Sequence, residues 1–330
     1  MKALSLLEIN QPPVLVDIDR PTKGPDDVKI QISHAALNRR DVWITKGHYP
    51  HIKTPAILGS DGVGRLLEAT SRCAKNSRVV ICPSLNWGDR EDTQSDAYEI
   101  LGMPRQGTLA EEIAVPTYSV YPAPEHLTDA EAAALPLAGL TAWRALCTRG
   151  EVKSGSRVLI TGVGGGVSSI AVQFAIAAGA EVTVTSSSDE KLIQAREWGC
   201  SSGLNYRKDT YQERLKTEFK NAFDLIVDGA GGAGVGLLLN TLAPAGRFVF
   251  YGGTAGKWPS ISPQRLFFKQ VSLLASTMGS PQDFEAMLNF VTEHRIVPAV
   301  DRVFSLEEGA KAFDHLEASQ QTGKVIIKIG

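Results

Sequence analysis

The chain has 330 residues, 34 Lys+Arg against 36 Asp+Glu, a formal net charge of −2, six histidines and four cysteines. At 43% hydrophobic and 21% charged, it has the composition of a folded chain of about two domains rather than a disordered one. The near-balanced charge argues against a nucleic-acid partner, no apolar run approaches the roughly 18 residues of a membrane span, and Met1-Lys2-Ala3-Leu4 opens no secretory signal, so a cytoplasmic protein is expected.

The first 120 or so residues pattern as strands and loops. Ala3–Ile9, Val28–Ser33 and Arg78–Ile81 are short apolar or alternating runs, punctuated by Pro12-Pro13, Pro21, Gly24-Pro25, Pro55 and Pro83. Between Leu85 and Gln106 the sequence turns polar for longer than a simple strand connection needs, which predicts an exposed lobe or a loop near the active site. Cys73, Cys82, Cys147 and Cys200 are widely spaced without a CxxC, the pattern of buried thiols rather than of disulfides or a zinc cluster. Prolines near Tyr121–Pro124 mark a boundary. Beyond it Asp129–Leu146 predicts helix, interrupted by Pro136 and Gly139.

Strands and helices then alternate. Arg157–Thr161, Glu181–Thr185, Phe223–Val227, Arg247–Tyr251 and Val271–Ser276 predict strands. Val167–Ala178, Asp189–Trp198 with Asp189 as its cap, Tyr211–Phe219, Val235–Leu242 and Pro281–His294 predict helices. Such alternation indicates a parallel sheet covered on both faces. Leu306–Leu316 and Val325–Ile329 add a helix and a strand, which either join that sheet or fold back on the first domain.

The strongest local signal is RVLITGVGGGVSSIAVQFAIAAGAEVTVT, in which a strand ends at Thr161, Gly162 and Gly164–Gly166 make a turn, and a helix follows. In that setting backbone NH groups and a helix N-terminus can approach a pyrophosphate, with Gly164, Gly165, Gly166 and Val167 closest. A tight structural turn is the alternative. Ser168 stands where a simple GxGxxG would carry its last glycine. At the end of the second strand Thr185-Ser186-Ser187-Ser188 offers no carboxylate for a ribose hydroxyl until Asp189. Ser187 and Lys191 suit a 2′-phosphate, so NADP(H) is expected over NAD(H), although Lys191 could equally face solvent.

Taken with Asn38–Asp41, PAILGSDGVG at 55–64, GTLAEEIAVP at 107–116, LPLAGLTAWRAL at 135–146, VDGAGG at 227–232, LAPAGRFVFYGG at 242–253 and GKVIIKI at 323–329, the chain resembles the medium-chain dehydrogenase/reductase superfamily. Within it, the match is to the zinc-independent quinone oxidoreductase-like branch. The resemblance implies an α/β chain with a mostly β, GroES-like catalytic domain (1–123), a Rossmann-like doubly wound parallel-sheet domain (124–295) and a C-terminal segment (296–330) that returns to the catalytic domain. It also implies a homodimer or homotetramer, and a nicotinamide in the cleft between the domains. Zinc-dependent relatives hold a catalytic metal with a Cys, a His beside an acidic residue, and a second Cys. The matching positions here are Asn38, Ser60 with Asp61, and Leu137, and the 85–106 region holds no cysteine, so no zinc is expected.

By the same resemblance Asn38 is the candidate catalytic residue, facing nicotinamide and substrate, with a turn-stabilising Asn as the alternative. Thr141 is placed near the nicotinamide, Tyr206 near the adenosine phosphate, Gly252 and Gly253 at the nicotinamide ribose, and Lys324 on the cofactor. The plain alternatives are a helix-packing Thr141, a surface Tyr206 and a solvated Lys324. Arg40, Asp41, Trp43 and Tyr49 are the substrate-side candidates. Arg40 could instead face solvent, Asp41 could fix its own loop, and the two aromatic rings could be ordinary packing. The expected reaction is hydride transfer from NADPH to a small electrophilic carbonyl or quinone. The alternatives are a zinc-free alcohol/aldehyde dehydrogenase-reductase, or a non-catalytic NADP(H)-binding redox sensor.

Overall fold

The computed structural model describes residues 1–330. Two compact units emerge: Met1–Leu140 together with Ser280–Gly330, and Thr141–Gly279. The first unit runs through β1 (Lys2–Leu6), β2 (Val14–Asp17), β3 (Asp27–Ala36), α1 (Arg39–Thr45), β4 (Ala56–Ile57), β5 (Asp61–Leu66) and β6 (Arg78–Ile81). It continues through β7 (Ser84–Leu85), β8 (Glu99–Ile100), β9 (Glu112–Pro116), β10 (Val120–Pro122) and α2 (Asp129–Ala134), and the chain leaves it within α3 (Pro136–Trp143).

The second unit contains β11 (Arg157–Ile160), α4 (Gly166–Ala177), β12 (Glu181–Ser186), α5 (Asp189–Glu197), β13 (Ser202–Asn205), α6 (Tyr211–Thr217), β14 (Phe223–Asp228), α7 (Val235–Thr241), β15 (Leu242–Phe250), α8 (Gln264–Phe267) and β16 (Ser272–Ala275). After α9 (Pro281–Glu293), β17 (Val300–Ser305), α10 (Gly309–Glu317) and β18 (Lys324–Lys328), the chain ends in the first unit.

The second unit is one six-stranded parallel sheet, ordered β13-β12-β11-β14-β15-β16. Its strands are short β-branched and aromatic runs. Leu159, Ile226 and Phe248 from neighbouring strands share one core with Leu238 and Leu239 of α7. From β11 the order winds outward in both directions, so the loops after β11 and β14 diverge at the carboxyl edge, where such sheets bind ligands.

In the first unit the main sheet is ordered β10-β6-β5-β3-β18-β17, with β9 also pairing β3. The terminal strand enters it antiparallel to β3, with Ile326 opposite Ala36, Ile327 opposite Ala35 and Lys328 opposite His34. Val325 and Ile327 sit in the same core as Leu4, Leu37, Leu58 and Phe313. The tail therefore joins the first unit because its apolar run, Val325–Ile327, is fully buried there.

Several local expectations shift. Asp129–Leu146 is two helices, because Pro136 has no NH to continue α2 but suits the first position of α3. The helix then passes into a π-helical turn at Arg144–Arg149. Ser188, not Asp189, caps α5: its hydroxyl accepts from Lys191 N at 3.2 Å, leaving Asp189 in the first turn, where its charge suits the helix dipole. The polar 85–106 stretch closes around Trp87, whose buried ring meets Tyr98 edge-on at 5.5 Å and whose indole NH donates to Arg90 O at 2.8 Å. No helix is long and apolar enough to cross a membrane.

The β3–β5 pairing depends on close backbone approach at Gly64, where a Cβ would lie 2.1 Å from Gln31 O. Gly64→Ala should destabilise the fold by about 1–3 kcal/mol as the strands are forced apart. The urea midpoint should fall accordingly, and an unchanged midpoint would show that the strands can yield.

Candidate active site

The first unit gathers its polar side chains where α1 begins, next to β5 and β18. Asp61, wholly buried, opens β5, and Lys324, 2% exposed, opens β18. The Lys324 ammonium donates to Asp61 Oδ2 at 2.8 Å and to Asn38 Oδ1 at 2.5 Å. Asn38 Nδ2 donates to the same Asp61 oxygen at 2.9 Å, and Asp61 Oδ1 accepts from Leu137 N at 2.7 Å. The orientation of the Asn38 amide is thus set chemically. An ammonium can only donate, so it must meet the oxygen, and the carboxylate must meet the nitrogen.

Arg40 and Asp41 form the adjoining layer. The Arg40 guanidinium, 8% exposed, donates to Ser60 Oγ (3.1 Å), Leu101 O (3.1 Å) and Met103 O (3.0 Å), and its Nε reaches Tyr49 Oη at 3.4 Å. Its charge also lies over the Tyr49 ring, 4.9 Å from the centroid. Arg40 does not face solvent; two of its four hydrogen bonds hold the 101–103 segment. Asp41, fully buried, accepts from Asn38 N at 2.7 Å and Gly59 N at 3.2 Å, fixing the entry to α1 and the turn before β5. Burial pushes its carboxyl above the usual range, against the pull of Arg40 and these two NH groups. Trp43, half-buried on α1, takes no side-chain part in the network.

Catalytic zinc can be tested against this arrangement. Leu137 has no ligand atom, Ser60 Oγ is spent on Leu101 O at 2.7 Å, and both Asp61 oxygens are occupied. A dication here would face Lys324 and Arg40, and no group of three or more His, Cys, Asp or Glu is arranged to hold a metal. The residues do not fit a zinc site. All four cysteines are free thiols.

In the second unit the glycine-rich turn sits at the carboxyl end of β11. Gly162 and Gly164 adopt φ of +68° and +121°, and Gly165 caps α4 without any side-chain hydrogen bond, leaving the first NH groups of the helix uncapped by side chains. The turn is pinned to its neighbours. Val163 N donates to Thr185 O at 2.8 Å, Gly162 N to Thr185 Oγ1 at 3.1 Å, and Ser168 Oγ to Gly162 O at 2.7 Å. Thr161 Oγ1 meets the buried Asp228 at 2.5 Å across the point where the strand order reverses. The same carboxylate accepts from Gly231 N at 2.8 Å.

Lys191 extends from α5 over this turn. A Cβ on Gly164 would fall 2.7 Å from Lys191 Cδ and 3.2 Å from its Nζ, so the lysine stem fills the space a side chain would need. This is a cradle of backbone donors with an ammonium beside it, and its donor chemistry fits a dinucleotide phosphate.

The other expected cofactor residues are spread along the same edge. Ser187 follows β12, and Tyr206, 48% exposed, follows β13 with its NH on Ser186 O at 2.9 Å. Gly252 and Gly253 follow β15, Gly252 close to Gly229 O and Gly253 facing open space. Thr141 is buried in α3, its hydroxyl 3.8 Å from Met278 Sδ. Lys324 belongs to the first unit, beside Asn38. The pinning roles of Thr161, Thr185 and Asp228 leave no mark in the sequence beyond an acid at the start of a glycine-rich loop.

Comparison with known proteins agrees with these two halves. Residues 24–125 match the alcohol dehydrogenase GroES-like domain, and residues 166–293 match the zinc-binding dehydrogenase model. A zinc-type alcohol dehydrogenase-like protein of Leptosphaeria maculans is 34% identical over 94% of this chain and 93% of its own. Prostaglandin reductase-3 of Mus musculus is 27% identical over 95% of this chain and 84% of its own. A crystal structure of an NAD-dependent alcohol dehydrogenase superposes with a TM-score of 0.93 at 33% identity, covering both chains fully. With a GroES-like unit, a Rossmann-like parallel sheet and relatives matched nearly end to end, the chain belongs to the medium-chain dehydrogenase/reductase superfamily.

Proposed function

We propose that the protein is an NADPH-dependent oxidoreductase that reduces a quinone or an activated enone or enal without catalytic zinc. The observation that carries this reading is the buried Asn38–Asp61–Lys324 network, centred on Asn38, one of the three positions (with Ser60 and Leu137) that match the metal ligands of zinc-dependent relatives. When bound, the nicotinamide supplies a hydride; with one proton it completes a two-electron reduction. Asn38 has its oxygen committed to Lys324 and one Nδ2 hydrogen to Asp61. Its second Nδ2 hydrogen is directed to the acceptor oxygen, where negative charge develops. A conjugated carbonyl already delocalises that charge and needs only such a donor, whereas an isolated ketone needs stronger polarisation. Tyr49, its ring held by Arg40, offers a flat face for a ring or conjugated chain.

On the cofactor side Gly164–Val167 hold the pyrophosphate through backbone NH groups, Gly162 and Val163 being pinned to Thr185. Ser187, Lys191 and Tyr206 serve the adenosine end, and Thr141, Gly252 and Gly253 the nicotinamide end. The lack of a carboxylate at 185–188 and the lysine beside the turn favour NADP(H). A second reading, a zinc-free alcohol or aldehyde oxidoreductase, is favoured by the likeness to the solved NAD-dependent alcohol dehydrogenase.

Lys191→Glu should raise the NADPH dissociation constant about tenfold and that of NADH by much less, through repulsion of the additional phosphate. Nicotinamide fluorescence titration measures both, and equal losses would remove the 2′-phosphate role. Steady-state assays across quinones, enones, aldehydes and secondary alcohols separate the two chemistries. Turnover of conjugated acceptors, unchanged by exhaustive chelation, is expected. Activity on alcohols alone would favour the second reading, activity restored only by added zinc would overturn the metal-free site, and NADPH binding without turnover of any of them would make the protein a sensor.

A further inference from the structure

We infer that Lys324 is a positioning residue, which together with Asp61 fixes the orientation of the Asn38 amide and does not itself bind the cofactor. This rests on the proposed reduction of a conjugated acceptor at Asn38. An asparagine at such a point is ambiguous, since its amide can rotate to present either NH2 or C=O. Presented as a carbonyl, it would repel the developing oxyanion that it must stabilise.

Three contacts remove the ambiguity. The Lys324 ammonium accepts nothing and meets Oδ1 at 2.5 Å. The Asp61 carboxylate meets Nδ2 at 2.9 Å and binds the same ammonium at 2.8 Å. Rotating the amide would set its NH2 against the ammonium and its oxygen against the carboxylate, breaking two hydrogen bonds to charged groups in a water-excluded place. Hydrogen bonds to charged groups are among the strongest a protein makes, so the rotated state is scarcely populated. Asp61 is itself held by Leu137 N at 2.7 Å, and Asp41 holds the Asn38 backbone NH at 2.7 Å, so the carboxylate partner and the main chain that carries the amide are both fixed. Lys324 lies 286 residues from Asn38 in sequence, and two of its three donors are accounted for by Asn38 and Asp61.

The test uses the full-length protein and the variants Lys324→Met, Lys324→Arg, Asn38→Ala and Asn38→Ala/Lys324→Met. Lys324→Met should lower kcat with a conjugated acceptor about tenfold or more while leaving the NADPH dissociation constant within about twofold. Lys324→Arg, which can still donate to both partners, should recover most of the rate. The double variant should be no slower than Asn38→Ala alone, because Lys324 acts through that amide. Weakened NADPH binding in Lys324→Met, or losses that multiply in the double variant, would overturn the proposal by showing that Lys324 touches cofactor or substrate.

Should Lys324→Met fail to fold because Asp61 is left as an unpaired buried charge, Lys324→Met/Asp61→Asn removes both charges. It should fold and remain slow, whereas wild-type kcat in that variant would overturn the proposal. If the wild-type protein reduces no conjugated acceptor, the functional reading fails separately, and the positioning role is read without turnover. The Asn38 side-chain NH2 signals of the cofactor-free protein, identified by their loss in Asn38→Ala, should exchange slowly in wild type and rapidly in the charge-free double variant. Equal exchange would overturn it.

Discussion

A lysine and an aspartate buried together impose a severe constraint, because each charge taken out of water is tolerable only while the other remains in place and every remaining polar atom is satisfied. In the first unit Asp61 and Lys324 meet that condition with Asn38 and the Leu137 NH as the further partners. Asp61 heads β5 and Lys324 heads β18, and both strands flank β3 in one sheet. The ion pair and the sheet register are therefore mutually dependent: Lys324 can reach Asp61 only because β18 lies against β3 with Ile326 opposite Ala36. Around this pair Arg40 ties the 101–103 segment and Asp41 ties the α1 entry to Gly59, so two cations and two carboxylates are buried with neighbours that satisfy them.

The second unit answers a different need. A phosphate is recognised by exposed backbone NH groups, which must be rigid yet uncovered by side chains. Rigidity comes from bonds running sideways to the ends of neighbouring strands, through Thr185 on one side and Thr161 with Asp228 on the other. Openness comes from glycines whose positive φ values other residues seldom adopt, and from Ser168, whose hydroxyl turns back on the loop carbonyls instead of projecting outward. The serine that departs from the simple glycine pattern thus closes the turn from within.

Elements with strong local periodicity were legible at the level of residues. The alternation from Arg157 to Ala275 predicted the parallel sheet, since apolar runs bounded by glycine and capped helices admit few other folds. The cap of α5 is ambiguous in sequence because Ser188 and Asp189 are both good caps, and only backbone geometry shows that Ser188 receives the Lys191 NH. The 85–106 stretch reads as merely polar, yet it folds around the buried Trp87 ring against Tyr98 and sends Leu85 and Leu101 into the core of the first unit's sheet. Arg40 and Lys324 were the least legible: long cationic side chains usually reach water, and whether they do depends on what lies around them in space.

By itself, then, the sequence determined the two textures of the chain, the phosphate-type turn between β11 and α4, and the lack of thiol and imidazole at Asn38, Ser60 and Leu137. These are properties of residue type and short spacing, expressed locally. Tertiary structure alone decided that Arg40 braces a loop and that Lys324 reaches Asn38. Such outcomes depend on pairing between residues as much as 286 positions apart, where burial converts an ordinary surface charge into a fixed partner, and no local pattern encodes that distance.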